Sequence, residues 1–266
     1  MELVDICFNL TSDTFRNDEA QVIERARQAG VRHFVITGSS VADSEHAVRL
    51  CAQYEDAWAT AGIHPHLARE FSDESLHQLQ QIAAHEKVSA IGETGLDYNR
   101  NYSSPAQQKA AFQAQLELAA ELALPGFLHQ RDAHADFARI LTRIRDRLTR
   151  VVTHCFTGTA SELDCYIDLD CHIGITGWIC DERRGQHLHE IIPRIPANRL
   201  MIETDAPYLL PRNLPADATF PKPRGRRNEP AYLPHILRTV ADCRGISEAQ
   251  AAVETTRTAK DFFSIG

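Results

Sequence analysis

The chain has 266 residues, of which 43% are hydrophobic and 24% charged. That composition is ordinary for a globular protein with a large core, and a single α/β barrel commonly has about this length. The formal net charge of −8 argues against a broad basic face for duplex nucleic acid, while a small local basic patch remains compatible with it.

Apolar runs alternate with helical stretches along the whole sequence. Strands are predicted at 3–8, 32–37, 57–62, 88–92, 125–129, 150–154, 172–176 and 199–204. Helices are predicted between them at 18–29, 43–54, 72–85, 105–123, 132–147, 159–169 and 184–192, and two more follow at 229–242 and 247–263. The stretch 105–123 repeats Ala110, Ala111, Ala114, Leu118 and Leu122 at helical spacing. Ser104-Pro105 and Ser161-Glu162 read as helix starts, and Asn228-Glu229-Pro230 opens a helix after the longest loop, 206–228. That loop carries Pro207, Pro211, Pro215, Pro221 and Pro223 and is long enough to suggest a functional segment. A strand followed by a helix, repeated eight times, implies parallel pairing with crossover helices. The expected fold is therefore an α/β TIM (β/α)8 barrel, one domain over residues 1–266.

Seven cysteines stand at 7, 51, 155, 165, 171, 180 and 243, with no Cys-x-x-Cys pair. An odd, scattered set reads as free thiols in a reducing compartment. No run of 18 apolar residues occurs, so no membrane span is expected. The amino terminus leads directly into a strand without a signal peptide, which makes the cytoplasm the expected location.

The chemistry sits at strand ends. Ile91-Gly92-Glu93, Phe127-Leu128-His129, Val151-Val152-Thr153-His154 and Met201-Ile202-Glu203-Thr204-Asp205 each close an apolar run with a carboxylate or imidazole. The carboxyl ends of barrel strands are where such folds keep their active sites. Glu93, His129, His154 and Asp205 can together hold one or two divalent ions. Mixed nitrogen and oxygen donors suit Zn2+ or Mn2+, and oxygen-rich sites suit Mg2+. A divalent ion lowers the pKa of water and polarises a phosphoryl oxygen, and Asp205 is a natural general base. Taken singly, each of the four is more often a hydrogen-bonded core residue than a ligand; four at strand ends in one barrel favour the metal site.

Other residues carry two readings. His64 of His64-Pro65-His66 touches metal or substrate, or is part of a surface turn. Arg131 clamps a phosphate, or pairs with Asp132. Arg183 and Arg184 follow the seventh strand. Arg212, Lys222, Arg224, Arg226 and Arg227 follow the eighth, opposed only by Asp217. They form a phosphate-binding rim, or a solvated loop. Tyr98, Phe156, Trp178, Tyr208 and Phe220 stack on unpaired bases, or pack; Tyr98 and Trp178 come first. Cys155 and Cys180 are expected to pack rather than react.

Six ordered segments resemble the TatD family of metal-dependent deoxyribonucleases. They are Ala61-Gly62-Ile63-His64-Pro65-His66, Ile91-Gly92-Glu93-Thr94-Gly95-Leu96-Asp97, His129-Gln130-Arg131-Asp132-Ala133, His154-Cys155-Phe156-Thr157-Gly158, Glu203-Thr204-Asp205-Ala206-Pro207-Tyr208-Leu209 and Arg227-Asn228-Glu229-Pro230. The resemblance spans essentially the whole chain. It implies a TIM barrel of the metal-dependent hydrolase superfamily, and 3′–5′ exonuclease activity on DNA with Mg2+. By that resemblance Glu93 is a bridging metal ligand, His129 and His154 complete one metal site, and Asp205 is ligand and water-activating base. Arg131, His64, Tyr98 and Arg226 are then expected to bind substrate, which is DNA, with RNA left open because nothing obviously reads the 2′-OH. A cytoplasmic monomer without membrane attachment is expected.

One departure stands out. Most of the family carries Asp-x-His-x-His on the first strand, whereas this chain has Asp5-Ile6-Cys7-Phe8-Asn9. Asn9 is a weak oxygen donor and Cys7 suits Mg2+ poorly, so one tight metal site is expected, with a second ion bound only alongside substrate. Two other readings compete: an amide, lactone or phosphoester hydrolase on the same barrel, and a non-enzymatic accessory of export quality control. The absence of histidines on the first strand argues against the former, and the four strand-end residues argue against the latter.

Overall fold

The structure is a computed structural model that describes residues 1–215 and 220–266. Eight strands follow one another in one sheet, each parallel to its neighbour: β1 (Leu3–Phe8), β2 (Val31–Ile36), β3 (Ala57–Ala61), β4 (Val88–Asp97), β5 (Gly126–Arg131), β6 (Val151–Thr153), β7 (His172–Ile175) and β8 (Leu200–Ile202). The last strand returns to the first beyond its own end. Asp205 N–H donates to the Cys7 carbonyl and Asn9 N–H to the Ala206 carbonyl, each at 2.9 Å. Phe8 and Ala206 pair there in parallel, which brings the barrel round on itself. This is the expected TIM barrel.

Helices cover the outside: α1 (Glu19–Gln28), α2 (Val41–Cys51), α3 (Asp73–Ala83), α4 (Pro105–Leu122), α5 (His134–Ile144), α6 (Ala160–Asp168) and α7 (Gln186–Ile191). After β8 come α8 (Leu233–Arg244) and α9 (Glu248–Phe263). Ser104 caps α4 as expected, accepting from Gln107 N while the Gln107 side chain accepts from Ser104 N, and Pro105 fills the first position, where no N–H is needed. The expected start at Ser161 shifts by two residues. Thr159 and Glu162 form the reciprocal cap, and Ser161 lies in the first turn. None of the described helices is long and apolar enough to cross a membrane.

Two apolar clusters fill the molecule. One packs the helices onto the strands. The other joins Val4, Ile6, Val35, Ala90, Phe127, Val152 and Met201 from six strands to Phe262 and Phe263 of α9, which places the carboxyl end of α9 against the barrel interior.

β4 runs five residues past its expected end at 92, and this extension shapes the site. Gly92 and Gly95 look like a stop in the sequence. In the fold they permit close approach: a side chain on either would collide with a β5 carbonyl, that of Phe127 or of His129. Gly95 also takes φ +148°, open only to glycine. The β4–β5 register shifts between Ile91 and Thr94, so Glu93 sits in an irregularity that turns its side chain.

Candidate active site

A cavity of about 790 Å3 opens at the carboxyl ends of the strands. Glu93, His129, His154 and Asp205 all line it, as do His64 and Arg131. The Glu93 carboxylate is the focus. Its Oε1 lies 2.8 Å from His154 Nε2, 2.9 Å from His129 Nδ1 and 3.2 Å from His64 Nε2. Burial alone raises the pKa of such a carboxyl, but the imidazoles of His64, His154 and His129 outweigh it and hold Glu93 well below the usual carboxylate range. The histidines divide. Burial depresses His64, whereas Glu93 and Glu203 raise His154 well above its ordinary value against the cost of burial.

Two further carboxylates, which the sequence reading did not single out, stand behind these imidazoles. Asp97, the last residue of β4, places Oδ2 2.8 Å from His66 Nε2 and 3.4 Å from His129 Nε2. The second of these contacts lacks hydrogen-bond geometry, so His129 Nε2 is buried without a hydrogen-bond partner. Against the effect of burial, these histidines hold Asp97 below its ordinary value. Glu203, fully buried, places Oε2 3.5 Å from His154 Nδ1, again without a formed hydrogen bond, and its Oε1 accepts from the Cys155 N–H. A hint lay in the sequence, in carboxylates two and four residues from the residues chosen.

Asp205 occupies a different setting. Its Oδ1 accepts from Asn9 Nδ2 at 2.9 Å and lies 3.6 Å from Cys7 Sγ. Burial pushes its carboxyl up to about 7; the His154 charge opposes this rise, and Glu93 and Glu203 reinforce it. Its backbone is in the left-handed region, φ +54°, an uncommon state for a non-glycine residue. Thr204, the residue before it, is fixed from two sides. Asp5 accepts from Thr204 N and Oγ1, and Asn228 Nδ2 donates to the Thr204 carbonyl at 2.8 Å. The first strand and the residue after it therefore fix this segment: Asp5 holds Thr204, and Asn9 donates to Asp205.

The donor set fits a divalent ion. One atom each from His64, Glu93 and His129 lie within 4.8 Å of one another, as do atoms of Cys7, His154 and Glu203. Buried ring nitrogens without hydrogen bonds, such as His129 Nε2 and His154 Nδ1, belong to a site built for more than its own internal contacts. Neither thiol near the mouth has an activating base. Cys155 Sγ meets Thr176 Oγ1 at 3.5 Å, and Cys180 Sγ meets Thr239 Oγ1 at 3.3 Å; burial pushes both thiols up. All seven cysteines are free.

Two expected substrate contacts are not at the cavity. Tyr98 donates its hydroxyl to Asp136 at 2.8 Å and packs its ring on the core, because it is the first residue past β4 and points toward α5. Arg226 is exposed on the loop and does not line the cavity. Much of the expected basic rim is paired internally. Arg183, Arg184 and Arg212 gather round Asp181, and Arg224 and Arg227 bind Asp18, a residue far away in sequence. Asp217 lies outside the described residues.

Comparison with known proteins identifies the family. A family model described as TatD related DNase matches residues 4–264. A protein named 3′-5′ ssDNA/RNA exonuclease TatD from Dickeya dadantii is 55% identical over 91% of this chain and 90% of its own length. One of the same name from Cronobacter sakazakii is 50% identical over 98% and 97%. The crystal structure of YJJV, a TatD homologue from Escherichia coli, superposes with a TM-score of 0.87 at 28% identity, covering 99% of this chain and 98% of that one. The barrel, the carboxylate ringed by imidazoles and these matches lead to one assignment: the chain belongs to the TatD-related DNase family of metal-dependent nucleases.

Proposed function

We propose that the protein is a 3′–5′ exonuclease that hydrolyses phosphodiester bonds at unpaired DNA ends, and RNA ends as well. The observation that carries this reading is the convergence of three imidazole nitrogens on Glu93 Oε1, with the high-pKa Asp205 carboxylate in the same cavity. The names of the relatives support both the polarity and the single-stranded substrate.

Glu93, His129 and His154, with Asp205, would hold a divalent ion, which we take to be Mg2+; His64 places a third imidazole nitrogen on the same Glu93 carboxylate. When bound, the ion neutralises phosphate charge and polarises the phosphoryl oxygen. Asp205 accepts the proton of the attacking water, and Asn9 aims its carboxylate. Water adds to phosphorus in line as the ester oxygen of the sugar departs, which leaves a nucleoside phosphate and a strand shortened by one residue. Arg131 and His64 line the cavity, where Arg131 holds substrate phosphate beside the one attacked. Thiol chemistry has no place in the reaction. The seven free cysteines support a reducing, cytoplasmic setting, and we take the protein to be a monomer.

Paired variants test the assignment. Asp205→Asn removes the base and keeps the shape; Glu93→Gln removes the carboxylate that the imidazoles share. Both are expected to abolish cleavage, with metal affinity falling much further in Glu93→Gln. Full activity in Asp205→Asn would reject Asp205 as the base.

A further inference from the structure

Among the described residues, four large hydrophobic side chains are strongly exposed, and two of them, Tyr102 at 57% and Tyr208 at 59%, stand at the cavity mouth. Trp178, half-buried, joins them in the cavity wall. The three rings come from three different loops, after β4, β7 and β8.

Each is tied to the site. Tyr102 stands edge-on to His66 with ring centres 4.8 Å apart, and His66 in turn touches Asp97. Trp178 has the Arg184 guanidinium 4.2 Å and that of Arg131 6.0 Å from its ring centre. The Tyr208 N–H donates to the Asp205 carbonyl at 2.9 Å, which fixes its main chain to the proposed base. Arg100 and Arg131 also line the cavity, and neither has a carboxylate partner among the described residues. Flat rings interleaved with free guanidinium groups are the combination that grips single strands without reading sequence: the rings take base faces, and the cations take phosphates. Bases stacked within a duplex offer no free face. The cavity volume of about 790 Å3 is generous for such a ligand.

The geometry points to Tyr102, Trp178 and Tyr208 as stacking platforms for unpaired nucleobases next to the scissile phosphate, with Arg100 and Arg131 on the flanking phosphates. This deepens the nuclease reading and rests on it. The enzyme recognises its substrate by the faces of the bases, so it tolerates any sequence but requires bases to be present. An abasic stretch keeps every phosphate and loses the stacking.

The test is binding of a labelled oligothymidylate, with phosphorothioate linkages at its 3′ end to slow cleavage, compared with an abasic strand of equal length and charge. Fluorescence anisotropy with Mg2+ reads both. Wild type is expected to prefer the base-bearing strand. Tyr102→Ala, Trp178→Ala and Tyr208→Ala should each weaken oligothymidylate binding by roughly 5- to 150-fold, the span of a single stacking contact, and leave the abasic strand unchanged. Trp178→Phe and the two Tyr→Phe variants should retain most of the affinity, which separates stacking from loss of fold. Equal binding of both strands by wild type, no binding of either, or equal weakening of both strands by the alanine variants overturns the proposal. Base-dependent binding without cleavage by any divalent ion would sink the nuclease reading and leave the platforms standing. Cleavage indifferent to abasic sites would do the reverse.

Discussion

Glu203 places its Oε2 3.5 Å from His154 Nδ1, the ring nitrogen that does not face Glu93. Glu203 is fully buried and holds its other oxygen on the Cys155 N–H, so it cannot swing away. A carboxylate facing the far nitrogen favours the proton there, which would free the near nitrogen, now 2.8 Å from Glu93, to give its lone pair to an ion. Gly174 leaves the room this requires: a side chain there would come within 2.8 Å of Glu203 Oε1.

Glu203→Gln tests this positioning role, since it keeps the shape and removes the charge. Metal affinity should fall about 10- to 100-fold, the usual effect of losing such a partner. Titration calorimetry with Mn2+ reads it directly, with circular dichroism to confirm the fold. Unchanged affinity would assign Glu203 to packing alone.

Asn9 gives Asp205 its one hydrogen bond from a side-chain amide. That bond favours the charged carboxylate and so lowers its pKa. A base must be deprotonated to act, so activity falls on the acid side. In Asn9→Ala the proton is held more tightly, and the acid limb of the kcat/KM profile should move to higher pH. A limb that stays in place or moves to lower pH contradicts the role of Asn9.

His172 begins β7, remote from the cavity mouth, and burial next to Arg199 lowers its pKa to about 4. The unfolded chain binds a proton near the ordinary imidazole value of about 6.5, so between these values the unfolded state is favoured as pH falls. The contribution of His172 to stability is complete above about 6.5 and is lost as pH drops toward 4, at most on the order of 3 kcal/mol. His172→Phe should flatten the pH dependence of the melting temperature across that window. Identical slopes in the two proteins would contradict this.

Arg227 closes the long loop onto α1. Its guanidinium meets Asp18 at 2.7 Å and Glu229 at 2.6 Å, and Glu229 also accepts from Arg25. Removing one partner of a buried ion network leaves charge uncompensated, which typically costs about 3–5 kcal/mol. Arg227→Ala should therefore lower the denaturation midpoint markedly. Because Asn228 holds Thr204 next to Asp205, activity should fall as well, even below the melting temperature. Loss of stability with full activity would separate the loop anchor from the site.

The barrel was legible because most strands are short apolar runs and the helices between them have their own spacing, some with side-chain caps; among the described residues each expected strand and helix is found, most within a few residues of its expected ends, with β4 the long exception. Four strand-end residues could be chosen because parallel strands deliver their last side chains to one mouth. The rest depended on contacts between distant segments. Gly95 reads as a stop in one dimension, yet it lets β4 run beside His129. The arginines of the 206–228 loop read as a free rim until Asp18 and Asp181 claim most of them. Tyr98 and Tyr102 are indistinguishable by type; a hydrogen bond to Asp136 takes one, and exposure marks the other.

The central claim is that Glu93 and its imidazoles drive exonucleolytic cleavage from the 3′ end. The direct measurement is mononucleotide release from 3′- and 5′-labelled single-stranded DNA with Mg2+, beside His129→Ala. The account predicts early release of the 3′ label, late release of the 5′ label, and neither in the variant. Early release of the 5′ label, or equal activity in wild type and variant, would contradict it.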